Sequence, residues 1–397
     1  MNPMKIAVFS PLHPIRSGIS DYTELMLPSL QKHFEIDLYF DPRYGPTNPL
    51  LRSDFQLFPF DPASFEPSNY EAIVYHMGNY YPAHHFVYDA LKKFPGIVVL
   101  HDFVLQGFYA RRYEVEGHYG EYEGLEAKYY GEKGRQIAQT VAERITIPVW
   151  ETEEALEFPL NEEILELATA VIVHSDFVKK RIQEKATKPV GKINQYAPHL
   201  RSFVREVARS EWGVGNEHIL ISSCGFVNKN KRYDLIVSAI EELNDPRVVY
   251  MIAGEDRGGL LKNGLEDARS RIQVQGYLSP EKMDSLIAAS DLCINLRYPT
   301  MGESSASLLR QMTYGKATLV TNCGSYMEFP DYSVLKIDPD IDERAMVRRV
   351  LAALIEDRDF RQSIGREAAE FVQKECHLDK CAREYAAFIQ AHSRSSP

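Results

Sequence analysis

Between Arg297 and Gly315 the chain reads RYPTMGESSASLLRQMTYG. One carboxylate, Glu303, sits in a turn rich in Gly, Ser and Thr, just after the apolar run DLCINL. The helix-like segment SASLLRQMTYG follows and closes on a Gly that suits a helix C-terminus. A strand, a polar loop holding one acid, and a helix whose first N–H groups face that loop form a receptor for an anion, above all a phosphate. A second stretch, GFVNKNKRYD (Gly225 to Asp234), sets Lys229, Lys231 and Arg232 behind a Gly and ahead of a helix. Fixed cations there can neutralise an anion; the plainer alternative is a solvated basic loop.

Other polar residues end apolar runs. His101 and Asp102 close GIVVL, His76 ends EAIVYH ahead of Gly78 and Asn79, and His174 with Ser175 closes TAVIV. Asp102 is placed to orient the His101 ring or to bind a ligand, and Ser175 also suits a helix N-cap. Arg16, Ser17 and Gly18 follow the first apolar run in HPIRSGISDY; the pattern is not GxGxxG, so a dinucleotide fingerprint is absent. Gly276 and Tyr277 follow another strand.

The elements that must hold these residues alternate. KIAVFS, EIDLYF, EAIVYH, GIVVLHD and TAVIVHS are strands separated by helical patterns in the first half; HILISSCG, VVYMIAG, IQVQGYL, DLCINL, ATLVTNC and VLKI form a second series. Such alternation predicts two parallel, doubly wound sheets, which take ligands beyond the carboxyl ends of their strands. Residues 108–167 break the pattern and are predicted to be mostly helical, either shaping an acceptor site or serving structure alone. The domains are expected at 1–203 and 204–375, with 376–397 a terminal helix.

Bulk properties narrow the class. The formal net charge of −11 argues against nucleic-acid binding, which needs a basic footprint. The run Lys179, Lys180, Arg181, Lys185, Lys188 and Lys192 is a solvated face or, if it meets anionic lipid, a peripheral membrane contact. Five Cys without a framework spacing predict no disulfide scaffold and a reducing, cytoplasmic setting. No metal site is expected: Cys376, His377 and Cys381 lack a second ligand pair. No apolar run approaches the roughly 20 residues that span a bilayer.

On these residues the chain resembles the family-four retaining glycosyltransferases, which use nucleotide-diphosphate sugars and have the GT-B architecture, two Rossmann-like domains facing a central cleft. The likeness covers nearly the whole chain and is specific in Gly225–Asp234 and Gly276–Asp331. It implies that Gly18, with Arg16 and Ser17, lies against the donor phosphates and the acceptor, and that His101 hydrogen-bonds the donor sugar. His76, Asn79 and Asp102 fall on the acceptor side. Lys231 fills the family's Lys position, whereas Phe226 stands where an Arg is usual, leaving Lys229 or Arg232 to compensate. Gly225 opens that loop, and Gly276 would touch the base through its backbone, which makes Val274 to Leu278 the expected pocket for a base, with Tyr277 either stacking there or packing on the surface.

The resemblance further makes Glu303 the residue beside the reacting sugar, Thr300 and Gly302 the shapers of its loop, and Ser304, Ser305 and Ala306 the source of N–H groups for the diphosphate. Glu328 would face the donor. Family members show Glu, seven residues, Glu. Here the second place is Gln311 counting forward from Glu303 and Arg310 counting back from Gly315, so the carboxylate that holds the ribose is absent. The implied activity is transfer of a sugar from a UDP- or GDP-sugar to a hydroxyl on a glycan, lipid or small molecule, with no cofactor. A sugar-nucleotide epimerase, a glycosyl phosphorylase and a non-catalytic nucleotide-sugar sensor stay open as alternatives. The oligomeric state is not legible.

Overall fold

The structure is a computed structural model that describes residues 3–144, 147–256, 259 and 271–393. It divides into two compact units: 1–195 with 301–304 and 378–397, and 196–300 with 305–377.

The first unit is built on a parallel sheet of β1 (Met4–Phe9), β2 (Phe34–Phe40), β3 (Gln56–Pro59), β4 (Ala72–Met77), β5 (Ile97–Leu100), β6 (Ala170–Val173) and β7 (Val190–Lys192), in the order β3-β2-β1-β4-β5-β6-β7. The runs AIVYHM, IVVL and AVIV are buried throughout, as strands covered on both faces must be. The edge strands β3 and β7 are short and escape sequence reading: QLFP is largely exposed and ends in Pro, and VGK contains a Gly. The segment predicted as helical forms Gln106–Glu116, Tyr119–Glu143 and Glu162–Leu167. Its Phe108, Tyr109, Tyr122 and Ile164 join the core of this unit. The terminal helix Leu378–Ala391 packs on helix Gly18–Leu30, where Tyr385 Oη and Tyr22 Oη share a hydrogen bond of 2.9 Å.

The second unit carries β8 (Ile219–Cys224), β9 (Val248–Ala253), β10 (Ile272–Gly276), β11 (Leu292–Asn295), β12 (Ala317–Thr321) and β13 (Leu335–Ile337), in the order β10-β9-β8-β11-β12-β13, also parallel. Helix Tyr233–Leu243 and helix Glu343–Glu356 cover one face with Ile236, Ile240, Val347 and Leu351. Both sheets reverse their winding once, between β1 and β4 and between β8 and β11. At such a switch point the loops after the two strands part to opposite sides and leave a crevice at the carboxyl edge. The loops concerned are those of Arg16–Gly18 and His76–Asn79 in the first unit, and of Gly225–Arg232 and Arg297–Thr300 in the second.

Candidate active-site residues

In the first unit three neighbouring strands each bring a histidine to their carboxyl ends. His76 is next to last in β4, His101 follows β5 and His174 follows β6. His76 Nδ1 lies 3.0 Å from His101 Nε2, His101 Nδ1 lies 3.2 Å from His174 Nε2, and His174 Nδ1 lies 3.0 Å from the Ile193 carbonyl. A carbonyl only accepts, so His174 Nδ1 carries the proton. In neutral rings this fixes the rest: His174 Nε2 accepts from His101 Nδ1, and His101 Nε2 accepts from His76 Nδ1. Burial holds the rings neutral, with His76 lowered to about 3, His174 to about 4 and His101 well below the ordinary imidazole value. The Tyr22 ring covers them, its centroid 4.9 Å from that of His101 and 5.4 Å from that of His174. Both nitrogens of His101, expected to meet the sugar, are thus engaged by other rings.

The adjoining loops are braced by the remaining acceptor-side candidates. Asp102 Oδ2 accepts from the Asn79 amide at 2.8 Å, and Asn79 Oδ1 accepts from the Phe108 amide at 2.8 Å. Ser17 caps helix Gly18–Leu30 by accepting from the Ile19 amide at 3.2 Å. Gly18 is exposed in ordinary helical geometry and a Cβ there would meet nothing, while Arg16 is exposed beside it. Sequence reading missed His13. Its Nε2 lies 3.0 Å from Asp21 and its Nδ1 3.1 Å from Glu24, so both nitrogens donate to carboxylates. Those bonds, to Asp21 first and then Glu24, raise its pKa to about 10 and fix a cation at the start of this helix.

The turn holding Glu303 also belongs to the first unit. Gly302 has φ of 75°, and a Cβ on it would stand 2.8 Å from Phe103 Cβ, so the turn rests on the loop two residues beyond His101. Glu303 is buried and its Oε2 accepts from the Met301 amide at 2.6 Å. Ser304 is half-buried beside it.

In the second unit four loops at the carboxyl edge are tied together. The Lys231 ammonium is buried and donates to the Cys224 carbonyl at 2.7 Å. Gly225 has φ of 106°, and any Cβ on it would collide with that ammonium. The loop after β8 is joined to that after β9 through Val227 N–H to the Glu255 carbonyl at 3.0 Å. It is joined to that after β11 through Tyr298 N–H to the Asn230 carbonyl at 2.7 Å. Thr300, buried, stands against Gly324 after β12: a Cβ on Gly324 would lie 2.7 Å from its Oγ1. Helix Ala306–Thr313 is capped by Ser305, which accepts from the Leu308 amide at 3.2 Å, and Ala306 at its start is exposed.

Several expected donor ligands have protein partners. Arg232 pairs with buried Glu343 and stacks toward the Tyr298 ring. Arg310 donates to Asp284 at 2.7 Å and to the Pro280 carbonyl. Gln311 is fully buried and accepts from Asn295 Nδ2 at 3.0 Å. Gly276 takes φ of 68° at the irregular end of β10, leaving Tyr277 exposed; Glu328 is exposed at the end of the turn Gly324–Glu328, and Lys229 opens the turn Lys229–Lys231. The five cysteines are free thiols. Among the described residues no helix is long and apolar enough to cross a membrane.

Residues 204–371 match the family described as Glycosyl transferases group 1. Among solved structures, the chain is similar to sucrose-phosphate synthase from Thermosynechococcus elongatus, with TM-score 0.66 and 14% identity over 98% of each chain. It is similar to the Anabaena protein HepE in complex with UDP-glucose, with TM-score 0.64 and 15% identity over 98% of this chain and 100% of that one. WaaG, a glycosyltransferase involved in lipopolysaccharide biosynthesis, gives TM-score 0.62 and 14% identity over 97% and 99%. At these identities the likeness is one of fold. No curated protein matches the sequence.

Proposed function

For a chain that carries a glycosyl transferases group 1 domain at 204–371 and shares the two Rossmann-like domains of GT-B structures, we propose the activity of a retaining glycosyltransferase acting on a nucleotide-diphosphate sugar. The observation that carries this is the Lys231 ammonium bent over Gly225 at the β8/β11 switch point, in the domain that matches the family. A buried cation held there by a carbonyl is preorganised for a pyrophosphate. A UDP-sugar is the preferred donor, since HepE was solved with UDP-glucose.

In the proposed reaction the bond from the anomeric carbon to the diphosphate oxygen breaks, and the acceptor hydroxyl bonds to that carbon on the same face. The departing diphosphate takes the hydroxyl proton, so no enzyme nucleophile, metal or cofactor is assigned. Lys231 and the amides of Ser304, Ser305 and Ala306 neutralise the leaving group. Glu303 steadies the positive charge that develops on the sugar. The histidine row, held neutral, adds no cation to repel that charge. Positioning and fixed charge supply the rate. The acceptor is a glycan, glycolipid or small-molecule hydroxyl.

A thermal-shift screen of UDP-, GDP-, ADP- and TDP-sugars, followed by assay of donor hydrolysis and transfer, tests this reading. The expected result is selective stabilisation by one nucleotide class and slow hydrolysis of that donor without acceptor. Tight binding of a donor with neither hydrolysis nor transfer would leave a sensor and end the catalytic reading.

A further inference from the structure

The second unit has a cavity of about 520 Å³ at the opposite edge of its sheet from Lys231. It opens where β8, β11 and β12 begin, between the approach residues His218, Ser290, Asp291 and Lys316, helix Arg205–Glu211 and helix Arg358–Glu375. Four cations line it, Arg205, Lys316, Arg358 and Arg361, against two carboxylates, Asp291 and Glu206. In a chain of net charge −11 this is a local reversal of sign.

Asp291 is already saturated. Its Oδ1 is 2.6 Å from Arg205, and its Oδ2 accepts from Arg209 at 3.0 Å and from the Leu220 amide at 2.9 Å. Arg361 stands 3.8 Å off and spends hydrogen bonds on the carbonyls of Leu354 and Ile355. Lys316 donates to the carbonyls of Ala288 and Ser290 at 2.9 and 2.7 Å, which take two of its three protons without cancelling its charge. Burial lowers Lys316 to about 8, and the neighbouring Arg205 and Arg209 push the same way. Arg358 and Arg361, three residues apart on one helix face, both line the cavity. Enclosing Lys316 and Arg361 costs free energy that Asp291, already shared with Arg205 and Arg209, does not return in full.

We propose that this cavity is a binding site for a small organic phosphate of sugar-phosphate or mononucleotide size, separate from the donor residues. Its volume lies within the range of small-molecule sites, and paired guanidinium groups suit phosphate oxygens. Being at the amino edge of the sheet, it stands whether or not the donor reading does.

Isothermal titration of the full chain with inorganic phosphate, a hexose 6-phosphate and AMP tests the site, using the parent, Lys231→Ala, Arg358→Gln and the double variant Arg205→Gln/Arg358→Gln. Arg358 is exposed and makes no ion pair among the described residues, so its replacement should leave the fold intact; melting curves check this. At least one organic phosphate is expected to bind parent and Lys231→Ala alike, to bind more tightly than inorganic phosphate, and to weaken about tenfold or more in Arg358→Gln, the worth of one charge-assisted bond. Binding is expected to be lost in the double variant. The proposal is overturned if none of the three ligands binds the parent, if Arg358→Gln and the double variant keep parental affinity, or if Lys231→Ala abolishes binding, which would assign it to the donor residues.

Discussion

His174 Nε2 lies 3.2 Å from His101 Nδ1, and the Ile193 carbonyl on the far side of His174 decides which of them holds the proton. One backbone carbonyl thereby sets the tautomers of three rings in a row. The arrangement persists only while His101 and His174 are neutral, because a second proton on either would face a donor with a donor.

Stability should therefore fall in acid. His76, His84 and His174 have folded pKa values near 3, 4 and 4, and His101 lies below the ordinary range as well, all chiefly through burial. Unfolded, each takes a proton near pH 6.5. From about 6.5 down to the folded values the unfolded chain binds more protons, so the stability present above that window is lost as pH falls through it. Each such histidine steepens the loss by about 1.4 kcal/mol per pH unit well below 6.5. Urea midpoints at pH 7 and pH 5 check this; equal midpoints would contradict the neutral row.

The alkaline side has a different owner. His13 is raised to about 10 by Asp21 and Glu24, so its ion pairs stabilise fully below pH 6.5 and fade as pH rises toward 10. His13→Gln should remove part of the decline in melting temperature between pH 7 and pH 10 and leave the acid limb unchanged. The exposed half of the site lets solvent screen the effect, so a small shift is expected. An alkaline limb identical to the parent's would show that His13 is not the titrating group.

Two neighbouring cations should behave oppositely on truncation. Arg232 neutralises Glu343, whose side chain is almost fully buried, so Arg232→Ala leaves an unpaired charge and should cost about 3–5 kcal/mol of stability. Lys231→Ala should instead weaken UDP or GDP binding by about tenfold or more if, as proposed, it removes a charge-assisted bond to the diphosphate. Chemical denaturation and nucleotide titration of both variants separate the two roles. Should Lys231→Ala bind nucleotide as the parent does, its assignment to the leaving group fails.

Much of this was legible because strands of a parallel sheet are continuous apolar runs, and residues that close such runs must lie at one edge. Lys231, His101 and Glu303 do lie in loops after strands, as that pattern predicts. Partners were not legible. Nothing in the sequence says that Arg310 turns to Asp284, that Gln311 sinks against Asn295, or that His101 meets His76 and His174, because those pairings depend on helix rotation and strand order. His13 was invisible for a related reason: the loop after β1 must fold back before it reaches Asp21 and Glu24. Strands β3 and β7 were missed because edge strands need little burial, and their short mixed sequences show no apolar period.

Glu303 offers the sharpest test of the chemistry. Its carboxylate is buried, held by the Met301 amide, and carried on a turn that Gly302 alone can make at φ of 75° against Phe103. Glu303→Gln keeps the volume and an acceptor oxygen for Met301 but removes the charge. If that charge steadies a developing glycosyl cation, kcat for transfer should drop by about a hundredfold or more, the scale of removing one preorganised electrostatic group. KM for the donor should change little, because the charge is needed in the transition state and not before it. Gly302→Ala should reach a similar loss by another route: it strains the turn and shifts the carboxylate without deleting it. A Glu303→Gln enzyme that raised KM while keeping kcat would make Glu303 a binding residue and leave the cation without its partner.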